Sequence, residues 1–195
     1  MSATLIQSEK STLVVHNLDE EDIQLCEDCV REEFTDLAYD SDIKVWGKMC
    51  KQRRGVGFYS DESVGYNYSN TKTPAMPLKP KSKLLLSNIN SKFNGKFNGI
   101  LVNHYRNGKE TIGKHSDDEK GLDENCGVFI ISVGTPRKLR FRDKETGKIV
   151  LDVMTEPGKI IQMQGDFQKE YTHEIPVESK VEGERYSLTF RYHIN

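Results

Sequence analysis

The stretch KLRFRDKETGKIVLDVMTEPGKIIQM, residues 138–163, reads as three short β-strands separated by two tight turns. The runs 138–143, 149–154 and 159–163 are rich in Leu, Ile, Val, Phe and Met. Between them stand Glu145-Thr146-Gly147 and Glu156-Pro157-Gly158, where Pro presets one backbone angle and Gly accepts the left-handed conformation that turns demand. Working outward, 99–105, 113–115 and 126–133 read as strands on the N-terminal side, and 172–175 and 186–194 on the C-terminal side. Asn107-Gly108 marks another turn. Roughly eight antiparallel strands at this spacing predict a jelly roll of two stacked sheets.

Upstream the pattern changes. Residues 1–12 read as flexible and Leu13-Val14-Val15 as a short strand. Asp19 to Leu37 reads as a helix whose acidic first turn suits its dipole. Residues 45–72 read as hairpins and 74–80 as a proline-interrupted extended linker. Lys81 to Phe93 reads as a second helix that lays Leu84, Leu85 and Ile89 on a sheet. The expected fold class is α+β with a mainly β core, a single domain of 195 residues. It divides into an N-terminal segment (1–44), a lid (45–75) and a jelly roll (80–195).

Chemistry concentrates in the C-terminal half. His115 and Asp117 are two residues apart, so an extended chain points both to one face. A third ligand would complete the two-histidine, one-carboxylate triad of non-heme Fe(II) enzymes. His173, at the start of a strand, is the better third ligand, because His193 lies next to the end of the sequence, where chains fray. The last strand alternates Tyr186, Leu188 and Phe190 with Arg185, Ser187, Thr189 and Arg191. The two arginines stand at most about 20 Å apart along the strand. Their planar forks suit a small dicarboxylate held between them.

Taken together, Asn103-x-Tyr105, His115-x-Asp117, His173 and Arg185-x5-Arg191 resemble the AlkB-like Fe(II)/2-oxoglutarate-dependent dioxygenases, specifically the nucleic-acid repair branch. The resemblance covers residues 45–193, and its fold is the double-stranded β-helix version of the jelly roll, here with N-terminal helices and a nucleotide-recognition lid. It implies Fe(II) on His115, Asp117 and His173, with 2-oxoglutarate and O2 as cosubstrates. Arg185 and the Tyr105 hydroxyl would bind the distal carboxylate, with Asn103 and Arg191 near the metal-bound one. The implied reaction hydroxylates an N-methyl group of 1-methyladenine or 3-methylcytosine type, which is then lost as formaldehyde, and yields succinate and CO2.

The same resemblance gives the substrate side its candidates. Asp118 and Glu119, directly behind the metal aspartate, would contact an alkylated, positively charged base. Arg53, Tyr66, Tyr68 and Ser69 would belong to the lid, the tyrosines stacking on a flipped-out base. The implied partner is alkylated DNA or RNA. Since the formal net charge is only −2, grip on a polyanion must come from local basic clusters: 48–54, 79–83, and Arg137, Lys138, Arg140, Arg142 and Lys144.

The remaining features narrow the classes. Four cysteines make neither a disulfide nor a zinc framework, and Cys26 and Cys29 share the apolar helix face with Leu25, Val30 and Phe34. No run has the length of a membrane span and no secretory signal is visible. The expectation is an intracellular monomer with no membrane partner. Two alternatives stand beside the dealkylase: an oxygenase of the same chemistry acting on a protein or small molecule, and an inert nucleic-acid-binding module. His16, His104 and His193 carry no case as ligands.

Overall fold

From the N-terminus the chain forms strands β1 (Ser2–Gln7) and β2 (Ser11–Asn17), helix α1 (Glu20–Glu32), and five short strands: β3 (Asp42–Val45), β4 (Lys48–Lys51), β5 (Gly55–Tyr59), β6 (Gly65–Tyr68) and β7 (Thr71–Met76). Helix α2 (Pro80–Phe93) leads into β8 (Gly99–Tyr105), β9 (Ile112–His115), β10 (Val128–Gly134), β11 (Lys138–Asp143), β12 (Ile149–Met154) and β13 (Lys159–Gly165). The one-turn helix α3 (Phe167–Glu170) then precedes β14 (Tyr171–Ile175) and β15 (Arg185–Arg191). The structure, a computed structural model, describes every residue except Met1, Trp46, Val64, Ser69, Asn70, Lys120 and Asn195.

The eight strands β8–β15 divide between two sheets, alternating except for the β11–β12 hairpin. One carries β13-β10-β15-β8 at its centre and the other is β12-β11-β14-β9, every pair antiparallel. This is the expected double-stranded β-helix. The larger sheet continues through β2 and β1 at one side and β5, β7 and β6 at the other, to nine strands.

Strand alternation divides the core in two. On β10, Phe129 and Ile131 pack against the helix side with Leu85, Ile89, Leu188 and Phe190, whereas Val128 and Ile130 enter the space between the sheets with Leu139, Phe141, Ile161 and Ile175. Each such side chain contributes about 1.5–3 kcal/mol when fully buried. Cys26 and Cys29 belong to the first layer, and burial pushes the Cys29 thiol up to about 12, so they are packing residues.

Local chemistry sets the helix ends. The Asp19 carboxylate caps α1 by accepting the Asp22 N–H at 3.0 Å. Glu33 ends α1 and reaches across, its two oxygens accepting the N–H groups of Lys81 and Ser82 at 2.8 and 2.7 Å. The first helix therefore stops at Glu32, short of the expected Leu37, because its last carboxylate is occupied with the N-terminus of α2.

Two other expectations change. Residues 2–7 are not flexible but pair with β2, a strand held by its ladder although most of its side chains are exposed. Residues 74–76, expected in the linker, instead complete β7, which pairs with β6 and runs parallel to β5 through Ala75 and Met76.

Candidate active site

The register of β9 and β14 sets His115 directly opposite His173. The ladder ends there, and the next turn brings in Asp117, so that one ligand atom from each residue lies within 4.8 Å of the others. His115 Nε2 is 3.7 Å from Oδ1 of Asp117, and His173 Nε2 is 3.6 Å from Oδ2. These gaps exceed hydrogen bonds and match ligands that each sit roughly 2 Å from one shared ion.

Their protonation agrees. Burial, with the neighbouring imidazole of His173, pushes His115 down to about 3; burial, with Arg191, does the same to His173. Both imidazoles are neutral at physiological pH, the form that ligates metal. Nδ1 of His115 lies 2.9 Å from the Gly113 carbonyl, so it carries the proton and Nε2 the lone pair. Asp117 is 4 % exposed, and its Oδ2 is buried without a hydrogen-bond donor among the described residues. A carboxylate oxygen left so is costly unless a cation meets it. Two neutral imidazoles and this carboxylate fit Fe(II).

Strands β8 and β15 line the adjoining cleft, which encloses about 400 Å³ including its open mouth. Arg185 stands opposite Tyr105 and Ser187 opposite Asn103, so the polar face of β15 and the Asn103/Tyr105 face of β8 look into one space. Arg185 is 1 % exposed. Its partners are neutral: Thr155 Oγ1 at 3.0 Å, Ser132 Oγ at 2.8 Å and the Tyr105 ring at 5.4 Å. No described carboxylate forms an ion pair with it, and burial pushes its guanidinium down to about 10.

Arg191 differs. It donates to Asp117 Oδ1 at 2.5 Å and Glu119 Oε1 at 2.9 Å, and lies 5.1 Å from the Tyr66 ring. The idea of two arginines jointly bracketing a dianion is thus corrected. Arg191 is already paired with two carboxylates, which leaves Arg185, of the two, without a carboxylate partner among the described residues.

The substrate candidates separate. Tyr66 is buried between Phe58 and Arg191 and lines the cleft, so it offers no exposed stacking face. Glu119 is half-buried, bonded to Arg191, and raised by burial. Asp118 is exposed and pairs with Lys144 at 3.2 Å. Arg53 is exposed, its carbonyl accepting the Thr111 N–H. The Tyr68 side chain and Ser69 lie outside the described residues.

Two residues escaped the sequence reading. Arg54, not Arg53, turns inward: it is 3 % exposed and its Nε donates to Asn103 Oδ1 at 2.7 Å. Nothing in the run KQRR tells which arginine is buried. Gln168 accepts the Asp117 backbone N–H at 2.9 Å, a contact between segments 51 residues apart with no local signal.

The expected basic clusters are largely spent on the protein itself. Arg140 and Lys138 pair with Asp152, Arg142 with Glu174, Lys81 with Asp28 and Glu32, and Lys83 with Asp61. Arg137 is fully buried. His104 is packed on Tyr186 and bonded to Tyr39 and Glu184, and His193 is buried against Phe58.

A family model described as the 2OG-Fe(II) oxygenase superfamily matches residues 13–191, the span that holds every element of this site. The chain belongs to that superfamily. The superfamily's description names Fe(II) and 2-oxoglutarate, and the cluster of His115, Asp117 and His173 suits the metal. It is 28% identical over 156 residues to human DNA oxidative demethylase ALKBH2, covering 76% of this chain and 60% of that protein. It is also 28% identical over 177 residues to human alpha-ketoglutarate-dependent dioxygenase alkB homolog 3, covering 86% and 59%. The chain thus spans about three-fifths of the length of these relatives. Its fold is that of OsALKBH1, with a TM-score of 0.61 over 96% of this chain and 100% of the other at 13% identity. No helix among the described residues is long and apolar enough to cross a membrane.

Proposed function

We propose that this dioxygenase is an intracellular, monomeric oxidative dealkylase of N-alkylated bases, of 1-methyladenine or 3-methylcytosine type, in DNA or RNA. The observation that carries the reading is the distribution of charge. The cations of β11 and α2 are ion-paired, whereas Lys72 on β7 and Lys114 on β9, whose strand also carries the cleft residues Ile112 and His115, and Lys44, Lys48 and Arg53 upstream are exposed and carry no ion pair with a described residue. Unpaired cations beside a cleft suit phosphates flanking an extruded base. The human relative named a DNA oxidative demethylase supports the same substrate class.

In this reading His115, Asp117 and His173 hold Fe(II), and bound Fe(II) with 2-oxoglutarate and O2 supplies oxidation of the N-methyl group. Arg185 and Tyr105 bind the distal carboxylate of 2-oxoglutarate, and the Asn103 amide, held by Arg54, orients the other end. Arg191 fixes the Asp117 carboxylate toward the histidines. Asp118 and Glu119 favour a cationic base at the lip, Asp118 exchanging Lys144 for it. Tyr66 walls the site, while Arg53, Tyr68 and Ser69 belong to the phosphate-contacting lid. The protein's part is orientation and exclusion of water around the metal chemistry.

The test is mass spectrometry of methylated single- and double-stranded DNA and RNA oligonucleotides incubated with protein, Fe(II) and 2-oxoglutarate. Loss of the methyl group with matching succinate is expected. Succinate without any demethylated oligonucleotide would refute the dealkylase and leave an oxygenase of another substrate.

A further inference from the structure

The geometry points to Gln168 as a positioning residue that holds the Asp117 backbone, and through it sets where the metal-ligand carboxylate meets the two histidines. Strand β9 ends at His115, whose ladder partner is His173. Asp117 lies two residues beyond the last ladder pair yet remains buried, so its N–H needs a partner that no neighbouring strand supplies. Gln168 Oε1 accepts it at 2.9 Å. The other end of the amide, Nε2, is 3.6 Å from the Met163 sulfur, which keeps the oxygen turned toward Asp117.

The connection is reinforced on both sides. Ser116 Oγ donates to the Tyr171 carbonyl at 2.9 Å, and Lys144 Nζ donates to the Gln168 carbonyl at 2.6 Å. The turn that carries the second ligand is therefore tied to the segment that leads into the third, His173. Helix α3 is itself fixed by Gly165, at φ +70, where a Cβ would stand 1.9 Å from the Lys10 carbonyl.

The inference rests on the assignment of His115, Asp117 and His173 to the metal. It is tested on the whole chain with Mn(II), which avoids turnover, by electron paramagnetic resonance of the unbound ion. Q168L should bind Mn(II) about 10–100-fold more weakly. Q168E, which keeps the length and the acceptor oxygen, should stay within about threefold of the unsubstituted protein. A general loss of stability would lower the melting temperature of the metal-free variants without this pattern in affinity. Q168L binding Mn(II) as tightly as the unsubstituted protein, or Q168E as weakly as Q168L, overturns the role of Gln168. An unsubstituted protein that binds no Mn(II) overturns the triad assignment first, and this inference with it.

Discussion

Replacing Arg185 with Met should separate what the residue does for the fold from what it does for the cosubstrate. The guanidinium is 1 % exposed, hydrogen-bonded to two hydroxyls, and burial lowers it from the usual arginine range to about 10. That difference corresponds to about 3 kcal/mol against the charged form. For a base whose folded value lies below its unfolded one, the cost is present in full at every pH below about 10 and is relieved only as pH climbs from there into the usual arginine range. Met removes it and forfeits two hydrogen bonds, each worth about 1 kcal/mol. The metal-free, cosubstrate-free variant should thus be as stable as the unsubstituted protein or about 1 kcal/mol more so, roughly 2–4 °C in melting temperature. With Mn(II) and 2-oxoglutarate at a hundredfold its dissociation constant, the unsubstituted protein gains about 2.7 kcal/mol, or roughly 5–10 °C. The variant should gain only the metal's share. Differential scanning fluorimetry at pH 7.5, with and without each ligand, reads both arms. A drop of more than about 5 °C without ligand, together with an intact response to 2-oxoglutarate, would refute the idea that Arg185 is a cation kept for an anion.

Other perturbations follow from the same accounting of buried groups. Arg54→Met frees the Asn103 amide to rotate and should raise the KM for 2-oxoglutarate about tenfold, the scale of a lost hydrogen bond to a charged group, while Mn(II) affinity stays within threefold; equal losses in both would contradict the role given to Arg54. His193 is held neutral by burial and by Arg191 down to about 4, against 6.5 when unfolded, so its contribution is full above pH 6.5 and disappears between 6.5 and 4. Urea unfolding at pH 7 and 4.5 should accordingly show the His193→Phe variant losing about 2–3 kcal/mol less than the unsubstituted protein, and an unchanged pH response would be the contrary result. Binding of a methylated duplex should weaken with salt, and exchanging both Lys72 and Lys114 for Gln should lower the slope of log K on log salt by about 2; an unaltered slope would move the phosphate contacts elsewhere.

The jelly roll was legible because strand alternation and turn chemistry are local. The strands 99–105, 138–143 and 149–154 fall where Gly, Pro and acidic turns end the apolar runs. His115 and Asp117 were legible as a pair because a single residue separates them, although Asp117 stands in the turn beyond β9 rather than on the strand, and His173 because few histidines follow them. What depends on chain parity or on contacts across the fold was not. Arg53 and Arg54 are chemically identical neighbours, and only the packed structure assigns one to solvent and the other to Asn103. The basic segments at 79–83 and 137–144 look available in sequence because their acidic partners, Asp28, Asp61, Asp152 and Glu174, are far along the chain. β1 was missed because its exposed residues leave no apolar signature, and backbone pairing alone holds it.

Arg137 and Arg185 show how a buried charge separates architecture from function. Both are at most 1 % exposed, and they flank the same Tyr105 ring at 5.9 and 5.4 Å. Arg137 is saturated from within: Glu178 accepts from its Nε at 3.0 Å, and the carbonyls of Asn107, Gly108, Glu110 and Pro176 take the rest of its fork. It staples the turn after β8 to the chain after β14, and nothing in its surroundings calls for a further anion. Arg185, a strand away, meets only hydroxyls and an aromatic ring and opens onto the cleft. Burying a cation without a counter-ion weakens the free protein, so it makes physical sense only where something else brings the negative charge. The same reasoning applies with opposite sign to Asp117, whose Oδ2 has no donor. A buried carboxylate oxygen without a donor and a buried guanidinium without a carboxylate partner among the described residues line a single cleft, and a divalent metal holding a dicarboxylate would satisfy both.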